Sequence, residues 1–326
     1  MGTSHRHTAT IKGEPNWGNA SKALTSVASG VEESDNLTNN PPPTMSPRQI
    51  GRRQSTLGKR ISNGEHRAVR NLVRAAGGRA KVSSGSSRAI GYAGIAVANK
   101  FVSTIVEIAD KGLNGWLKSK GVLSLEGKSC RDIVDCIRSF IEVDVAGLDN
   151  TAANEALEHI MDMLELEMST SERSYDEVMT NILTEDSIKD MLDEFFGMYI
   201  FSHLSQNFSE KIGYEKGTEV KNATMEDIKD QIIEDVRSSR TVRPIESIDW
   251  KSTEGETFIK KEFDRIIFIN ASTFFYNGYL YPQTNFTSIL PYIYEKSREL
   301  NIDENGLIWM QNILNMMNKI CAINSK

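Results

Sequence analysis

Apolar residues recur at helical spacing along most of the chain after residue 87, and this spacing constrains the fold more than any other feature. Met191, Leu192, Phe195, Phe196 and Tyr199, for example, lie on one face of a helix predicted over 188–205. The same spacing predicts further helices at 87–110, 130–142, 151–167, 174–183, 225–238, 258–274 and 306–323. We therefore predict an all-α fold, an irregular multi-helix body without a fixed-period repeat.

Charge is divided unevenly between the two ends of the chain. Residues 1–100 contain 15 Lys/Arg and 5 Asp/Glu, whereas residues 101–326 contain 23 Lys/Arg and 39 Asp/Glu. A basic front end on an acidic body is typical of a chain whose front end contacts something outside the body. A partner protein, a nucleic acid and a membrane surface are the candidate contacts.

Composition divides the chain into three segments. Residues 1–62 contain few large apolar side chains and several turn signals, so we predict a long, disordered, basic and polar tail. Residues 63–100 are predicted to be a basic Gly/Ser-rich linker with a short helix over 65–76, capped by Ser62 or Asn63. Residues 101–326 are predicted to be the acidic helical body, which should fold without the tail.

The stretch 89–109 is long enough to cross a membrane. Lys100 lies at its centre and Glu107 follows, and each charge would cost about 2.5–3.5 kcal/mol in the bilayer core. A buried core helix is therefore predicted. The three cysteines form no CxxC pair, which favours reduced thiols, and the N-terminus lacks the pattern of a secretory signal. We expect a cytoplasmic protein with no membrane partner.

No arrangement of residues in the sequence indicates catalysis. The Gly-rich segment 77–94 lacks the GxxxxGK[ST] pattern of a phosphate loop. Its amides and Arg88 could hold an anion at the start of the following helix, although a flexible hinge is the favoured interpretation. Neither His159 nor His203 has a Cys, His, Asp or Glu four residues further along the chain in a known ligand pattern. We predict a protein that is not an enzyme and that binds neither a metal nor a cofactor.

The basic residues of the front end support an alternative role in nucleic-acid binding. Of these, Arg67, Arg70 and Arg74 share one side of the short predicted helix. Few aromatic residues lie among them, so base stacking is poorly provided for, and a merely solvated basic face remains an alternative. The candidate phosphate contacts are Arg52, Arg53, Lys59, Arg60, Arg67, Arg70, Arg74 and Arg88.

The N-terminus offers a second candidate site. Gly2 is small enough for Met1 to be removed, and Arg6 stands where myristoylation favours Ser or Thr. A terminal amine has a pKa of about 7.7–8.0, so a substantial neutral fraction exists near neutral pH. Gly2 is thus a candidate for modification, unless it merely permits Met1 removal. The isolated Trp17 is a candidate anchor in a partner's pocket.

Asp249 and Trp250 are predicted to have a structural role. Trp250 follows an irregular stretch, and a large aromatic side chain there would fill the gap between the helix predicted over 225–238 and the helix that begins near Gly255.

Four features of the chain occur in a recognisable order. They are the start Met1-Gly2-Thr3-Ser4, the basic linker, a GSSRAIG segment and a late IDWKSTEG stretch. This order resembles the QatB family of the bacterial Qat antiphage cassette. That cassette also encodes an ATPase, an enzyme similar to QueC of the queuosine pathway and a TatD-like nuclease.

The resemblance implies a non-enzymatic component of an antiphage defence complex. It would bind the QueC-like enzyme and present Gly2, after Met1 removal, for conjugation to a deazaguanine base. Thr3 and Ser4 would contact the entry channel of that enzyme, and the ATPase and the nuclease are further candidate partners. About 60 flexible residues would give the amine a root-mean-square reach of about 40–45 Å.

Overall fold

The computed structural model describes residues 15–122, 128–142, 147–171, 173–184, 187–238, 250, 252–271, 275–276 and 279–280. The chain divides into two units, residues 1–272 and 273–326. The described part of the first unit is helical throughout apart from its turns, which confirms the all-α prediction there. Its helices are α1 (Pro15–Asn39), α2 (Pro47–Ala75), α3 (Arg79–Ser83), α4 (Tyr92–Lys111), α5 (Leu113–Ser119), α6 (Cys130–Ile141), α7 (Leu148–Thr170), α8 (Tyr175–Thr184), α9 (Ser187–Lys216), α10 (Thr218–Ser238) and α11 (Thr253–Ala271).

The second unit contributes one short antiparallel strand pair to the described residues. Its strands are β1 (Phe275–Tyr276) and β2 (Tyr279–Leu280), in which Phe275 lies opposite Leu280. The helix predicted over 306–323 lies outside the described residues.

Residues 15–62 form helices, and the prediction of a disordered tail is wrong for them. Ser46 caps α2: its side chain accepts a hydrogen bond from the Gln49 amide, the Gln49 side chain accepts one from the Ser46 amide, and Pro47 follows the cap. This capping box starts the helix 18 residues earlier than the sequence analysis placed it. The helix predicted to end at residue 76 ends at Ala75, and Gly77 and Gly78, which follow it, both have positive φ.

α1 and α2 pack against each other through small side chains. A Cβ atom on Gly64 of α2 would lie 2.5 Å from Val27 Cγ2, and a Cβ on Gly30 of α1 would lie 2.8 Å from Ile61 Cγ1. The two glycines therefore let the helices approach closely, and alanines and valines suffice to fill the interface. The prediction of a disordered tail is wrong because it considers only large apolar side chains, whereas the buried residues of α1, which recur at helical spacing, are mostly alanine and valine. They include Ala20, Ala23, Leu24, Val27, Ala28 and Val31.

α9 is the central helix of the first unit, and it packs against α1, α4, α7, α8, α10 and α11. Phe195, Phe196 and Tyr199 of α9 are fully buried. The Phe196 ring stacks on Phe263 of α11 with 4.6 Å between the ring centroids. The helical spacing in 188–205 thus belongs to a core helix, as predicted, although that helix continues to Lys216.

α4 is long and apolar enough to cross a membrane by length and composition, but most of it is buried inside the fold. Val97, Ala98, Phe101 and Ile105 are among its buried residues, and this confirms the prediction of a core helix. The assignment of residues 63–100 to a linker is wrong, because the end of α2 and the first half of α4 both contribute to the core.

Two alanine substitutions within α2 test the close approach of the hairpin. We expect Gly64→Ala to lower the free energy of unfolding by about 1–3 kcal/mol, because the new methyl group overlaps Val27. Gly51 has nothing within 4 Å of its Cβ position, so Gly51→Ala should stabilise the helix by about 0.5–1 kcal/mol. Urea unfolding measures both values. Equal stabilisation by the two variants would contradict the packing described above.

Candidate functional site

A buried polar centre joins the start of α4 to α7 and α9. Asp149 of α7 accepts hydrogen bonds from two backbone amides at the start of α4: Ala93 N lies 2.8 Å from its Oδ2, and N of Gly91, the residue before the helix, lies 3.3 Å from its Oδ1. Tyr199 donates its hydroxyl hydrogen to the same carboxylate, and His203 Nε2 lies 3.0 Å from Oδ1 and donates to it. The Tyr199 hydroxyl also accepts from Gly91 N at 2.6 Å. All three side chains are buried.

The backbone around Gly91 explains why the start of α4 needs a hydrogen-bond acceptor from a distant part of the sequence. Gly91 has φ +109, and a Cβ atom on it would lie 2.2 Å from the Val82 carbonyl oxygen, so only glycine fits. Glycine has no side chain to cap α4. The first amides of a helix carry partial positive charge and need an acceptor, and the Asp149 carboxylate supplies one.

The same arrangement occurs at the start of α5. Gly112 begins that helix with φ +69 and no side-chain cap. The carboxylate of Asp176 from α8 accepts a hydrogen bond from the Leu113 amide. Two successive helices of the core thus depend on aspartates that lie far away in the sequence.

The geometry of this polar centre favours a structural role over a catalytic one. Burial, together with the neighbouring Asp149 carboxylate, raises the pKa of Tyr199 well above its usual range, so its phenol remains a donor. The side chains that could exchange a proton with a substrate are buried away from solvent; they are Asp149, Tyr199 and His203. The Gly-rich segment was predicted to be able to hold an external anion at the start of α4, and the Asp149 carboxylate occupies that position instead. The hinge prediction is wrong, because Gly91 and Gly94 are buried and a Cβ on Gly94 would lie 2.7 Å from the Tyr199 ring.

A second buried cluster lies where α2 approaches α10 and α11. Glu65 is 2% exposed, and its carboxyl oxygens accept no hydrogen bond from any described residue. Burial, followed by the carboxylates of Asp227 and Asp235, raises the pKa of Glu65 well above its usual range. Burial also raises the pKa of Asp235 to about 7. His66 Nδ1 lies 3.2 Å from the Asn270 carbonyl oxygen, and burial lowers the pKa of this histidine.

Two adjacent acids of α9 are buried although the sequence suggests a solvated face. Asp193 pairs with Arg265 of α11, and burial raises the pKa of Asp193 to about 6. Glu194 pairs with Arg237 of α10 at 2.7 Å, and His159 Nε2 lies 3.7 Å from its other oxygen. These acids connect helices, and their ion pairs leave little capacity for acid/base chemistry.

The structure separates the sequence-predicted site residues into several places. Gly2, Thr3, Ser4 and Asp249 lie outside the described residues. Trp17 is half-buried on α1 and packs against Phe208 of α9, with 4.9 Å between ring centroids. The premise that it stands alone in a tail is therefore wrong, and its contact with a partner stays a prediction.

Trp250 is half-buried, and its ring meets Phe258 of α11 edge-on at 5.3 Å. A Cβ on Gly255 would lie 3.0 Å from the Trp250 Cα atom, so the backbone at Trp250 packs closely against the start of α11. Its structural role stays a prediction.

The structure brings seven of the candidate phosphate contacts together on α2. Arg53 forms an ion pair with Glu33 of α1, and Arg60 lies 3.8 Å from the same carboxylate. Arg70 is half-buried. Arg88 is exposed beyond the C-terminal end of α2, next to Ser87, whose hydroxyl donates to the Ala76 carbonyl at 2.8 Å.

A groove of about 600 Å³ lies between α1, the turn after it and α2. Glu32, Glu33 and Arg53 line it together with asparagines and Met45. Its lining contains no histidine or cysteine, and its one hydroxyl, on Ser29, has no histidine beside it in the lining. The groove therefore lacks the pairing of nucleophile and base that acyl transfer needs.

Metal-binding clusters are absent from the part of the chain that the structure describes, where no group of three or more His, Cys, Asp or Glu residues is arranged to hold an ion. Cys130 and Cys136 are free thiols, as the sequence predicted.

Comparison with known proteins gives one family match. The family model for QatB, a Qat anti-phage system associated protein, matches residues 82–267, which is more than half of the chain. The matched range runs from the end of α3 into α11, and α1 and α2 precede it. No curated protein and no solved structure matches the chain.

Removing one hydroxyl tests the buried polar centre. Tyr199→Phe deletes the donor to Asp149 and the acceptor for Gly91 N, so it should lower the free energy of unfolding by about 1–3 kcal/mol. Tyr214 is 93% exposed, and Tyr214→Phe is the matched control, with an expected change below about 0.5 kcal/mol. Urea unfolding measures both, and equal values would contradict a structural role for the centre.

Glu65→Gln tests the buried acids of α2 and α10. A carboxyl whose pKa is raised by folding retains a proton that the unfolded chain releases above about pH 4.3. Wild-type stability should therefore fall as pH rises from 5 to 8. One such proton contributes a slope of about 1.4 kcal/mol per pH unit. The substituted amide cannot ionise, so the variant should show a shallower slope and higher stability at pH 8.

The control for this pH dependence is Glu219→Gln, at an exposed position of α10. It should retain the wild-type slope in unfolding measured across the same pH range. A Glu65→Gln slope equal to that of wild type would show that Glu65 takes up no proton on folding.

Proposed function

The chain belongs to the QatB family, whose members are components of the Qat anti-phage system, and from this premise we propose that it acts without catalysis of its own. In this proposal it binds the QueC-like enzyme of the cassette and presents Gly2, after Met1 removal, for conjugation to a deazaguanine base. The observation that carries the proposal is the Met1-Gly2-Thr3-Ser4 start in a chain of this family. The ATPase and the TatD-like nuclease of the cassette are further partners in the proposal.

The conjugation would take place in the active site of the partner enzyme. ATP there activates the carboxyl carbon of the deazaguanine as an acyl adenylate, and pyrophosphate leaves. The neutral Gly2 amine attacks that carbon, the C–N amide bond forms, AMP leaves with the electrons of the broken C–O bond, and the amine nitrogen loses a proton. Gly2 suits this reaction because a terminal amine is neutral at a lower pH than a lysine amine and because glycine has no side chain to obstruct a narrow channel.

The described side chains support a non-catalytic role for this chain. Asp149, Tyr199 and His203, which have the chemistry of an acid/base relay, are buried and serve α4. Asp193 and Glu194 are buried in ion pairs with arginines. The reactive group in this proposal is therefore the terminal amine, and the helical body serves to hold the partner.

The start of α1 limits how far the amine can travel. Only 12 residues separate Gly2 from Pro15, where α1 begins. At about 3.3–3.6 Å per residue, the chain from Gly2 to Pro15 spans at most about 47 Å. This upper bound replaces the estimate from 60 flexible residues, and it requires the partner's active site to lie within that distance of the α1 start. Trp17, which packs against Phe208 in the first turn of α1, is the large side chain beside that point.

Mass spectrometry of the co-expressed proteins tests the proposal. Chain produced with the QueC-like enzyme and a deazaguanine precursor should gain mass on the N-terminal peptide alone, after loss of Met1. Chain produced without the enzyme is the control and should lack the gain. Gly2→Ala retains Met1 removal and a similar amine pKa but adds a methyl group, so we expect much less modification. A mass gain on any other peptide would contradict the assignment of Gly2.

A second variant separates the amine from the rest of the N-terminus. Gly2→Glu retains Met1 and so moves the free amine one residue outward. We expect this variant to remain unmodified and to lose protection against phage in a plating assay. Full protection by Gly2→Glu would show that the N-terminal amine is not required for defence.

A further inference from the structure

The outer face of α2 carries an unusual concentration of positive charge. At 100° per residue, all seven basic residues of the segment 52–74 lie within an arc of about 120°. The single acid of α2, Glu65, lies on the opposite, buried face. We call this arc the α2 basic face, and it consists of Arg52, Arg53, Lys59, Arg60, Arg67, Arg70 and Arg74.

The α2 basic face is regular and extended. Arg53, Arg60, Arg67 and Arg74 follow each other at intervals of seven residues, which is about 10.5 Å along a helix axis. From residue 52 to residue 74 the helix rises about 33 Å. Beyond its end, Lys81 lies against Gly77, with its Cδ atom 3.0 Å from the Gly77 Cβ position, and Arg88 follows Ser87, which is bonded to Ala76.

Most of this charge is not neutralised within the described part of the chain. Arg53 and Arg60 share one acid, Glu33. Arg52, Lys59 and Arg74 are exposed and form no ion pair with a described acid, and Arg67 bonds only the Asn63 carbonyl oxygen. Burial, together with the nearby Arg74 and Arg67, lowers the pKa of Arg70. Crowded cations without counter-charges favour an anionic ligand that spans several of them.

The composition of the face favours phosphates over an acidic protein. The large apolar side chains exposed in the described residues are Met45, Tyr92, Phe140, Leu166 and Tyr214, and none of them belongs to α2. Protein interfaces depend on buried aromatic or aliphatic anchors, which this face lacks. Binding to a polyphosphate needs no such anchor, because release of counterions drives it. Six of the seven basic residues are arginines, whose planar guanidinium pairs well with phosphate.

We propose that the α2 basic face binds the phosphate backbone of double-stranded DNA without reading its sequence. The face extends about 33 Å, close to one turn of B-form DNA at about 34–36 Å. The face lacks the aromatic side chains on which single-stranded bases would stack. The excess of acids in residues 101–326 disfavours contact with DNA through that part of the chain.

Fluorescence anisotropy with a labelled duplex of mixed sequence and the full-length protein tests this proposal. About five phosphate contacts should give a slope of log K against log salt near −4 to −5 between 50 and 300 mM NaCl. Arg67→Gln/Arg74→Gln should reduce the slope by about 2 and weaken binding on the order of 10–60-fold at 0.1 M salt. The matched control Lys118→Gln/Lys128→Gln removes the same charge from exposed positions away from α2 and should bind as wild type.

Glu33→Gln provides a test in the opposite direction. It frees Arg53 and Arg60 from their shared acid, so we expect tighter binding and a steeper salt dependence. Thermal unfolding of each variant confirms that it remains folded.

Several results would overturn the proposal. They are the absence of duplex binding at 50 mM salt, equal binding by Arg67→Gln/Arg74→Gln and wild type, and tighter binding of a single strand or an RNA duplex of the same length. Loss of an acidic cassette protein from the Arg67→Gln/Arg74→Gln variant, with duplex binding unchanged, would assign the face to that protein instead.

Discussion

The carboxylate of Asp149 holds together the elements on which the rest of the structure depends. α4 begins at a glycine because the Val82 carbonyl leaves no room for a Cβ atom, and its first amides therefore lack a local cap. Asp149 accepts from those amides, while Tyr199 and His203 of the central helix bind the same carboxylate. One side chain thus joins α4, α7 and α9 in a region from which water is excluded, where an unpaired amide or carboxylate would be costly.

The hairpin of α1 and α2 has a different physical basis. Gly30 and Gly64 bring the helix axes close, so small side chains fill the interface. α2 therefore buries one side against α1 and displays the other to solvent. The basic residues, which face away from the core, gather on the displayed side as a consequence. In the same packing, Trp17 near the start of α1 contacts Phe208 of α9. This contact places the start of α1 beside α9.

Charge inside the fold and charge on its surface serve separate purposes. Inside, Asp193 and Glu194 are paired with arginines, and Glu65 has a raised pKa that favours its neutral form. These groups connect helices and are out of reach of a substrate. On the surface, most of the α2 basic face is exposed to solvent.

The family resemblance depends on features spread from Met1 to Gly255. Local sequence patterns are enough to predict the helical character of the described first unit, the core face of α9 and the burial of α4. Each of these depends on residues within a few positions of one another. Helical spacing places Phe195 and Tyr199 on one face, and Ser129 with Asp132 forms a local capping box. The capping box at Ser46 is equally local, and the small apolar residues of α1 recur at helical spacing, so both helices of the hairpin were predictable from the sequence.

Which distant residues meet depends on the packing of the helices. This packing brings Asp149 to Gly91 and Asp176 to Leu113, and the two residues of each pair are about 60 positions apart in the sequence. It also buries Glu65 and Asp193, which lie on helix faces whose sequence resembles that of a solvated face. It also merged two predicted segments into one α2 and thereby turned scattered arginines into a continuous face. The physical reason is that a carboxylate's partners and a small residue's burial depend on how closely helices approach, and no local pattern encodes that distance.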